Sequence, residues 1–168
     1  VVLDPVMIAK GGTKLINYSS IKYLKKLLIP LCTLVTPNIP EAEVLTGYSI
    51  SSKEDMIKAT KKILNMGAKN VLLKGGHLKS KMIFDVLATK KGINIFKKRR
   101  IKTKNIHGTG CTLSSAIATC LSQRKNITKS CKVSLKYVDK AIASAPGYGK
   151  GFGPLNHLVS FNLRNNNA

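Results

Sequence analysis

The chain has 168 residues, 43% of them hydrophobic, which suits one domain with a sizeable core and excludes a disordered coil. Its 29 Lys and Arg stand against 7 Asp and Glu, giving a net charge of +22. That excess speaks to solubility and nonspecific attraction for anions, and selects no function by itself. No apolar run approaches the length that spans a bilayer, and "VVLDPVM" lacks the basic start and cleavage site of a secretory leader. Cys32, Cys111, Cys120 and Cys131 form no Cys-x-x-Cys pair, which argues against a zinc site. The expectation is a cytoplasmic, reducing compartment with free thiols and no membrane partner. The opening on Val1, inside a strand-like run, reads as a fragment or a chain whose beginning is missing.

In chain order, "VVLDPV" reads as a buried strand ending at Asp4. "SSIKYLKKLL" places Ile21, Leu24 and Leu28 at helical spacing, with a serine cap and Pro30 as the stop. "CTLVTPN" is the next strand, broken at Pro37; "IPEAEVLTG" is a short helix with Pro40 in its first turn and Gly47 at its end. "SSKEDMIKATKKILNMG" predicts an amphipathic helix, with Ser51 and Glu54 as capping box and Met56, Ile57, Thr60, Ile63 and Leu64 on the apolar face. "NVLLKGG" is a third buried strand, and "KMIFDVLATKKGINIFKKRRI" a hairpin joined at Lys91-Gly92. Helices follow over about Cys111–Ser122 and Thr128–Ala145, and the polar tail "NLRNNNA" is expected to fray. Alternating strands and helices imply an α/β fold with a mainly parallel sheet and one antiparallel excursion. Ligands gather at the carboxyl ends of such strands, where Asp4, Asn38 and Lys74 fall.

The stretch "TKNIHGTGCTLSSAIA" turns from a glycine-rich loop into a helix. Its glycines permit close backbone approach, and the unpaired N–H groups of the helix start make a site for a phosphoryl group. A thiol at Cys111 should have its pKa lowered there and could act as base or nucleophile; the competing reading is a turn with an incidental cysteine. GxxxxGK[ST] is absent, so any phosphate is held by another device than a P-loop. Lys74, at a strand end before two glycines, can reach a phosphate as a mobile charge, or is one more surface lysine. Asn38 and Glu41 form N-x-x-E at a helix start. With Asp4 they suit Mg²⁺ held partly through water, or are a helix cap and an Asp-Pro turn. "KKRRIK" (Lys97 to Lys102) is the one dense basic cluster; without an RNA-binding aromatic signature it reads as solvated surface, with no specific nucleic acid expected.

Taken together, "VVLDPVM", "VTPNIPEAEVLTG", "VLLKGGH", "TKNIHGTGCTLSSAIA" and "GFGPLNH" resemble, in order and over nearly the whole chain, the C-terminal part of the hydroxymethylpyrimidine/phosphomethylpyrimidine kinases of the ribokinase-like superfamily. The resemblance implies a three-layer α/β/α fold truncated at its N-terminus, with residues 1–168 as the ATP-binding part of a single kinase domain. It implies MgATP-dependent phosphorylation of 4-amino-5-hydroxymethyl-2-methylpyrimidine and of its monophosphate, for thiamine diphosphate synthesis, with a homodimer as one expected assembly. It implies that Gly108, Thr109 and Gly110 form the anion hole and that Cys111 stands where most of the superfamily keeps an aspartate base. Asn38 and Glu41 are then Mg²⁺-associated, Asp4 and Lys74 lie near the nucleotide phosphates, and Val6 and Met7 touch the pyrimidine. Two departures stand out. A region of roughly a hundred residues, the size of a small domain, lies N-terminal in the family and outside this chain, and the family's "GHGHGP" reads "GKGFGP", with Lys150 and Phe152 as the changes. Three other readings compete: a pyridoxal kinase of the same superfamily, a truncated and inactive remnant, and a nucleic-acid-binding module using the basic surface.

Overall fold

The computed structural model describes residues 1–8 and 13–159, so the polar tail lies outside the described residues. The chain divides into two compact units, Val1–Arg100 and Ile101–Ala168.

The first unit is built on a five-stranded sheet in the order β1 (Val2–Leu3), β2 (Leu34–Val35), β3 (Asn70–Leu73), β4 (Met82–Thr89), β5 (Gly92–Arg99). β1, β2 and β3 run parallel, with Leu3 opposite Val35 and Val35 opposite Val71. β4 is antiparallel to β3 and β5 antiparallel to β4, so a single strand runs against the rest. β2 and the interior of β3 are buried, as an apolar run covered on both faces should be. The β4–β5 turn is Lys90–Lys91, one residue before the expected join, because Gly92 takes φ +136° as the first residue of β5.

The helices follow their caps. α1 (Tyr18–Tyr23) is capped by Asn17, whose side chain accepts from Ser20 N–H at 2.8 Å, not by a serine; an asparagine one turn upstream takes the first free amide. Pro30 does not stop the helix cleanly. Its ring crowds the carbonyl four residues back, and the chain widens into a π-helical turn over Leu24–Leu28, then tightens into a 3-10 turn over Ile29–Leu31. α2 (Ile39–Thr46) runs from Asn38 to Gly47, which sits at φ +80°. α3 (Lys53–Leu64) uses Ser52 and Asp55 as its capping box, one residue later than expected. Two serines precede two acids, so both pairings fit the motif; Asp55 accepts from the hydroxyls of Ser52 and Ser51 at 2.8 and 3.1 Å. Its inward stripe of Met56, Ala59, Thr60 and Ile63 is buried, and Met56, Ala59 and Ile63 join Met7, Ile29, Val35, Leu45, Val71 and Leu73 in the core. Each Val, Leu, Ile or Met among them contributes about 1.5–3 kcal/mol when fully buried.

In the second unit α4 (Thr109–Ser122) begins two residues before the expected start, capped by Gly108 at φ +82°. It packs on α5 (Ile127–Ala143) through Leu113, Ile117 and Cys120 on one side and Cys131, Ser134, Val138 and Ala141 on the other. Among the described residues no helix is long and apolar enough to cross a membrane.

Candidate functional site

Three parallel strands of the first unit deliver their carboxyl ends to one place. β1 ends into Asp4, and a tight turn follows in which Val6 N–H donates to Asp4 O at 2.8 Å. β2 leads through Thr36 and Pro37 to Asn38, and β3 into Lys74, whose N–H donates to Pro37 O at 2.9 Å and which bridges Asn38. The Lys74 ammonium donates to Asp4 Oδ1 at 2.7 Å, with both side chains largely sequestered (16% and 13% exposed). The Thr36 hydroxyl stands 3.3 Å from the same oxygen.

Asn38 and Glu41 form the expected N-x-x-E, and here it closes a complete capping box. Glu41 N–H donates to Asn38 Oδ1 at 2.9 Å, and Asn38 N–H donates to Glu41 Oε2 at 2.8 Å. Capping and any ligand role are therefore carried by the same pair. Glu41 is 4% exposed. Burial raises its pKa, against the Asn38 backbone hydrogen bond and the positive charge of Lys74, while Asp4 adds a like charge. Burial thus outweighs the attraction of Lys74 at this carboxylate. Its proton affinity is higher folded than unfolded, so its contribution to stability is largest below the unfolded carboxylate's range and falls as pH rises through the folded value. Glu41→Gln keeps the cap's acceptor and removes the buried charge. It is expected to raise stability at pH 7.5 by about 1 kcal/mol, the scale of a single stabilising substitution, measured by urea denaturation. A variant less stable than the parent at that pH would overturn this account.

Among the described residues no group of three or more His, Cys, Asp and Glu could enclose a metal. The donors of this cluster, Asp4 and Glu41, are two hard carboxylates. That set fits Mg²⁺ of the kind that keeps several waters and leans on substrate phosphates, rather than one caged by protein. Of the remaining expected residues of this unit, Val6 is exposed and Met7, 3% exposed, is packed in the core.

In the second unit Gly108, Thr109, Gly110 and Cys111 lie at the start of α4. Thr112 N–H closes the first helical turn on Gly108 O at 2.9 Å, and Thr109 N–H reaches Ile106 O at 3.4 Å. The amides of Gly110 and Cys111, between them, have no carbonyl of the helix to donate to, and the positive end of the helix dipole falls there. Cys111 is exposed, whereas Cys32, Cys120 and Cys131 are buried, as small apolar residues are. Cys111 opens an α4–α5 groove of about 410 Å³ that Thr112, Ser115, Thr119, Tyr137 and His157 also line. In it His157 Nε2 lies 2.9 Å from Thr112 Oγ1, and the Tyr137 hydroxyl donates to His157 O at 3.1 Å. Sequence reading passed over Thr112, Tyr137 and His157. His157 lay inside the quoted "GFGPLNH", but its partner is forty-five positions away and nothing local announces the pair.

Residues 1–156 match the family described as phosphomethylpyrimidine kinase. The chain belongs to that family. It is 48% identical to the thiamine biosynthesis bifunctional protein ThiED of Geobacter sulfurreducens, over 95% of this chain and 33% of that protein. It is 42% identical to the hydroxymethylpyrimidine/phosphomethylpyrimidine kinase of Bacillus subtilis, over 95% of this chain and 59% of the relative; the chain thus spans little more than half the length of that kinase. Among solved structures, the pyridoxal kinase from Staphylococcus aureus in complex with AMP-PCP superposes with a TM-score of 0.85 at 30% identity, covering 93% of this chain and 57% of that one. The fold is accordingly ribokinase-like α/β with a mainly parallel sheet. The sequence-level resemblance to this kinase family holds, and the family's members are phosphotransferases.

Proposed function

We propose that this protein takes part in transferring the γ-phosphoryl group of ATP, with Mg²⁺, to 4-amino-5-hydroxymethyl-2-methylpyrimidine and then to its monophosphate, in the cytoplasm, toward thiamine diphosphate. The observation that carries the reading is the exposed Cys111 thiol at a glycine-capped helix start, where the amides of Gly110 and Cys111 have no carbonyl of the helix to donate to. Phosphoryl transfer asks little of a protein beyond positioning and stabilisation of charge. Gly108, Thr109 and Gly110 supply an anion hole of backbone N–H groups for the migrating phosphoryl. Cys111 accepts the proton of the attacking hydroxyl or orients the attacking phosphate in the second step. Lys74 gives a point charge to the nucleotide phosphates, and Asp4 holds it in place. Asn38 and Glu41, with Asp4, would hold the metal through its water shell. When bound, Mg²⁺ neutralises charge between phosphate oxygens. Val6, exposed, and Met7, buried beside it, are the proposed contacts to the pyrimidine ring. Residues 1–168 act on this reading as parts of one kinase domain.

A second reading, pyridoxal phosphorylation, draws on the S. aureus pyridoxal kinase, the superposed neighbour described above. One assay separates the two. Purified protein with ATP and Mg²⁺ is offered the pyrimidine, its monophosphate and pyridoxal, and ADP release is measured with products identified by mass. The pyrimidine is expected to win by at least about tenfold in kcat/KM, a margin of 1.4 kcal/mol in transition-state binding. A reversed preference puts pyridoxal first, and no turnover with any substrate supports an inactive remnant. In the same assay Glu41→Gln is expected to raise the Mg²⁺ half-saturation roughly tenfold, the scale of losing one partner around a metal; an unchanged titration would remove Glu41 from the metal's surroundings.

A further inference from the structure

"KKRRIK" reads from sequence as a uniformly solvated basic run, and its fourth residue does not behave as one. The Arg100 guanidinium donates to three backbone carbonyls of one loop: Nε to Ser80 O at 2.9 Å, one terminal nitrogen to Gly76 O at 2.9 Å, and the other to Leu78 O at 2.6 Å. Its own N–H donates to Lys81 O at 2.9 Å. The loop is the one that leaves Lys74. Its near end is fixed as well: Gly75 N–H donates to Asp85 Oδ1 at 2.9 Å, and Gly75 lies so close to the Phe84 carbonyl that no Cβ fits. The Asp85 carboxylate of β4 and the Arg100 guanidinium just past β5 therefore hold the segment from Gly75 to Ser80 between them.

Those bonds orient the amides as well. The chain has no cis peptide bond among its described residues. In a trans peptide the C=O and the following N–H point in opposite directions. With the carbonyls of Gly76, Leu78 and Ser80 turned onto Arg100, the N–H groups of His77, Lys79 and Lys81 are turned away from it. The N–H groups between them are taken, Leu78's by Gly75 O at 3.2 Å and Ser80's by Leu78 O at 2.9 Å, so the alternate amides of His77, Lys79 and Lys81 are the loop's donors toward an anion. His77 sits within electrostatic range of both Lys74 and Arg100, whose charges add to desolvation in lowering its pKa. A lysine could not replace Arg100. An ammonium is a compact point charge on a flexible stem, whereas the planar guanidinium presents a rigid fork of donors to fixed acceptors.

We propose that Arg100 is a positioning residue: by gathering the carbonyls of Gly76, Leu78 and Ser80 it preforms the loop after Lys74 as a surface for the phosphates of the nucleotide. The proposal rests on the nucleotide-dependent kinase reading, and its test keeps the two apart. R100A and R100K are compared with the parent protein. In R100A, hydrogen exchange of the Gly75–Ser80 amides is expected to quicken at least about tenfold, a readout that needs no turnover. KM for ATP is expected to rise about tenfold with kcat within about threefold of the parent, the signature of lost binding rather than lost chemistry. Millimolar guanidinium is expected to restore part of the lost affinity, and urea at the same concentration none of it. R100K should lie close to R100A in KM despite its charge; if R100A fails to fold, R100K, which retains the charge and an aliphatic stem, carries the same measurements. An active parent with unchanged KM or unchanged loop exchange in the variants overturns this inference alone. A parent that neither turns over nor gains loop protection from AMP-PCP overturns the nucleotide reading and the inference with it.

Discussion

Replacing Gly75 with alanine is expected to cost about 3–5 kcal/mol of stability, while the same change at the adjacent Gly76 leaves it within about 0.5 kcal/mol. A Cβ at Gly75 would overlap the Phe84 carbonyl oxygen and stand 3.0 Å from its carbon and 3.1 Å from the Met56 methyl group. The oxygen cannot yield, because Phe84 is in the middle of β4, paired with Lys97. Relief has to come from moving Gly75 away from β4. That breaks its N–H hydrogen bond to the buried Asp85 carboxylate, a charge-assisted bond of about 1.5–3 kcal/mol. To this is added the overpacking of a filled interior, about 1–3 kcal/mol. Gly76 has open space where its Cβ would go, and surface changes of that kind are close to neutral. At about 2–4 °C of melting temperature per kcal/mol for a chain of this size, Gly75→Ala should melt roughly 10 °C below the parent. A difference under 2 °C would mean that the loop does not approach β4 as closely as described. The displaced segment begins at Lys74, so activity should fall with stability even at temperatures where the variant remains folded.

The contrast between these neighbours shows what the sequence could convey about the site. "KGGH" announces a turn after a buried strand, and that was enough to place Lys74 at a strand end. It does not say which glycine is obligatory, because the constraint on Gly75 comes from a strand ten positions later. The same division runs through the chain. Asn38 and Glu41 were legible because a capping box is a local device with a fixed spacing. Cys111 was legible because a glycine-rich turn and a helix start are adjacent in sequence. Arg100 was not, because composition hides it among five basic or apolar neighbours and its partners lie some twenty positions earlier. Thr112 and His157 were missed for the same reason. The boundary errors have a local cause of their own: where two residues in a row can cap, as with Ser51 and Ser52, spacing cannot choose between them.

Substitution of Cys111 carries the largest expected effect on activity. Its thiol is exposed at the third position of α4, beside amides that have no partner in the helix. Cys111→Ala therefore removes a reactive group without opening a cavity, and the fold should be unchanged within about 0.5 kcal/mol. General acid–base catalysis by a positioned side chain contributes about 10²–10⁴-fold, so kcat for pyrimidine phosphorylation is expected to fall by that factor while KM for ATP stays near the parent value. Native-state titration with a thiol reagent should find one fast-reacting cysteine in the parent and none in the variant, since the other three are buried. Cys111→Ser then separates the two roles open to the thiol. A serine hydroxyl keeps the size and a hydrogen-bonding group, but its much weaker acidity leaves it almost wholly protonated at neutral pH. If Cys111 removes the proton of the attacking hydroxyl, Cys111→Ser should be nearly as slow as Cys111→Ala. If Cys111 orients the nucleophile, the serine variant should recover most of the lost rate. Activity of Cys111→Ala within a few-fold of the parent would sink both roles and leave the catalysis to the unpaired amides and Lys74 alone.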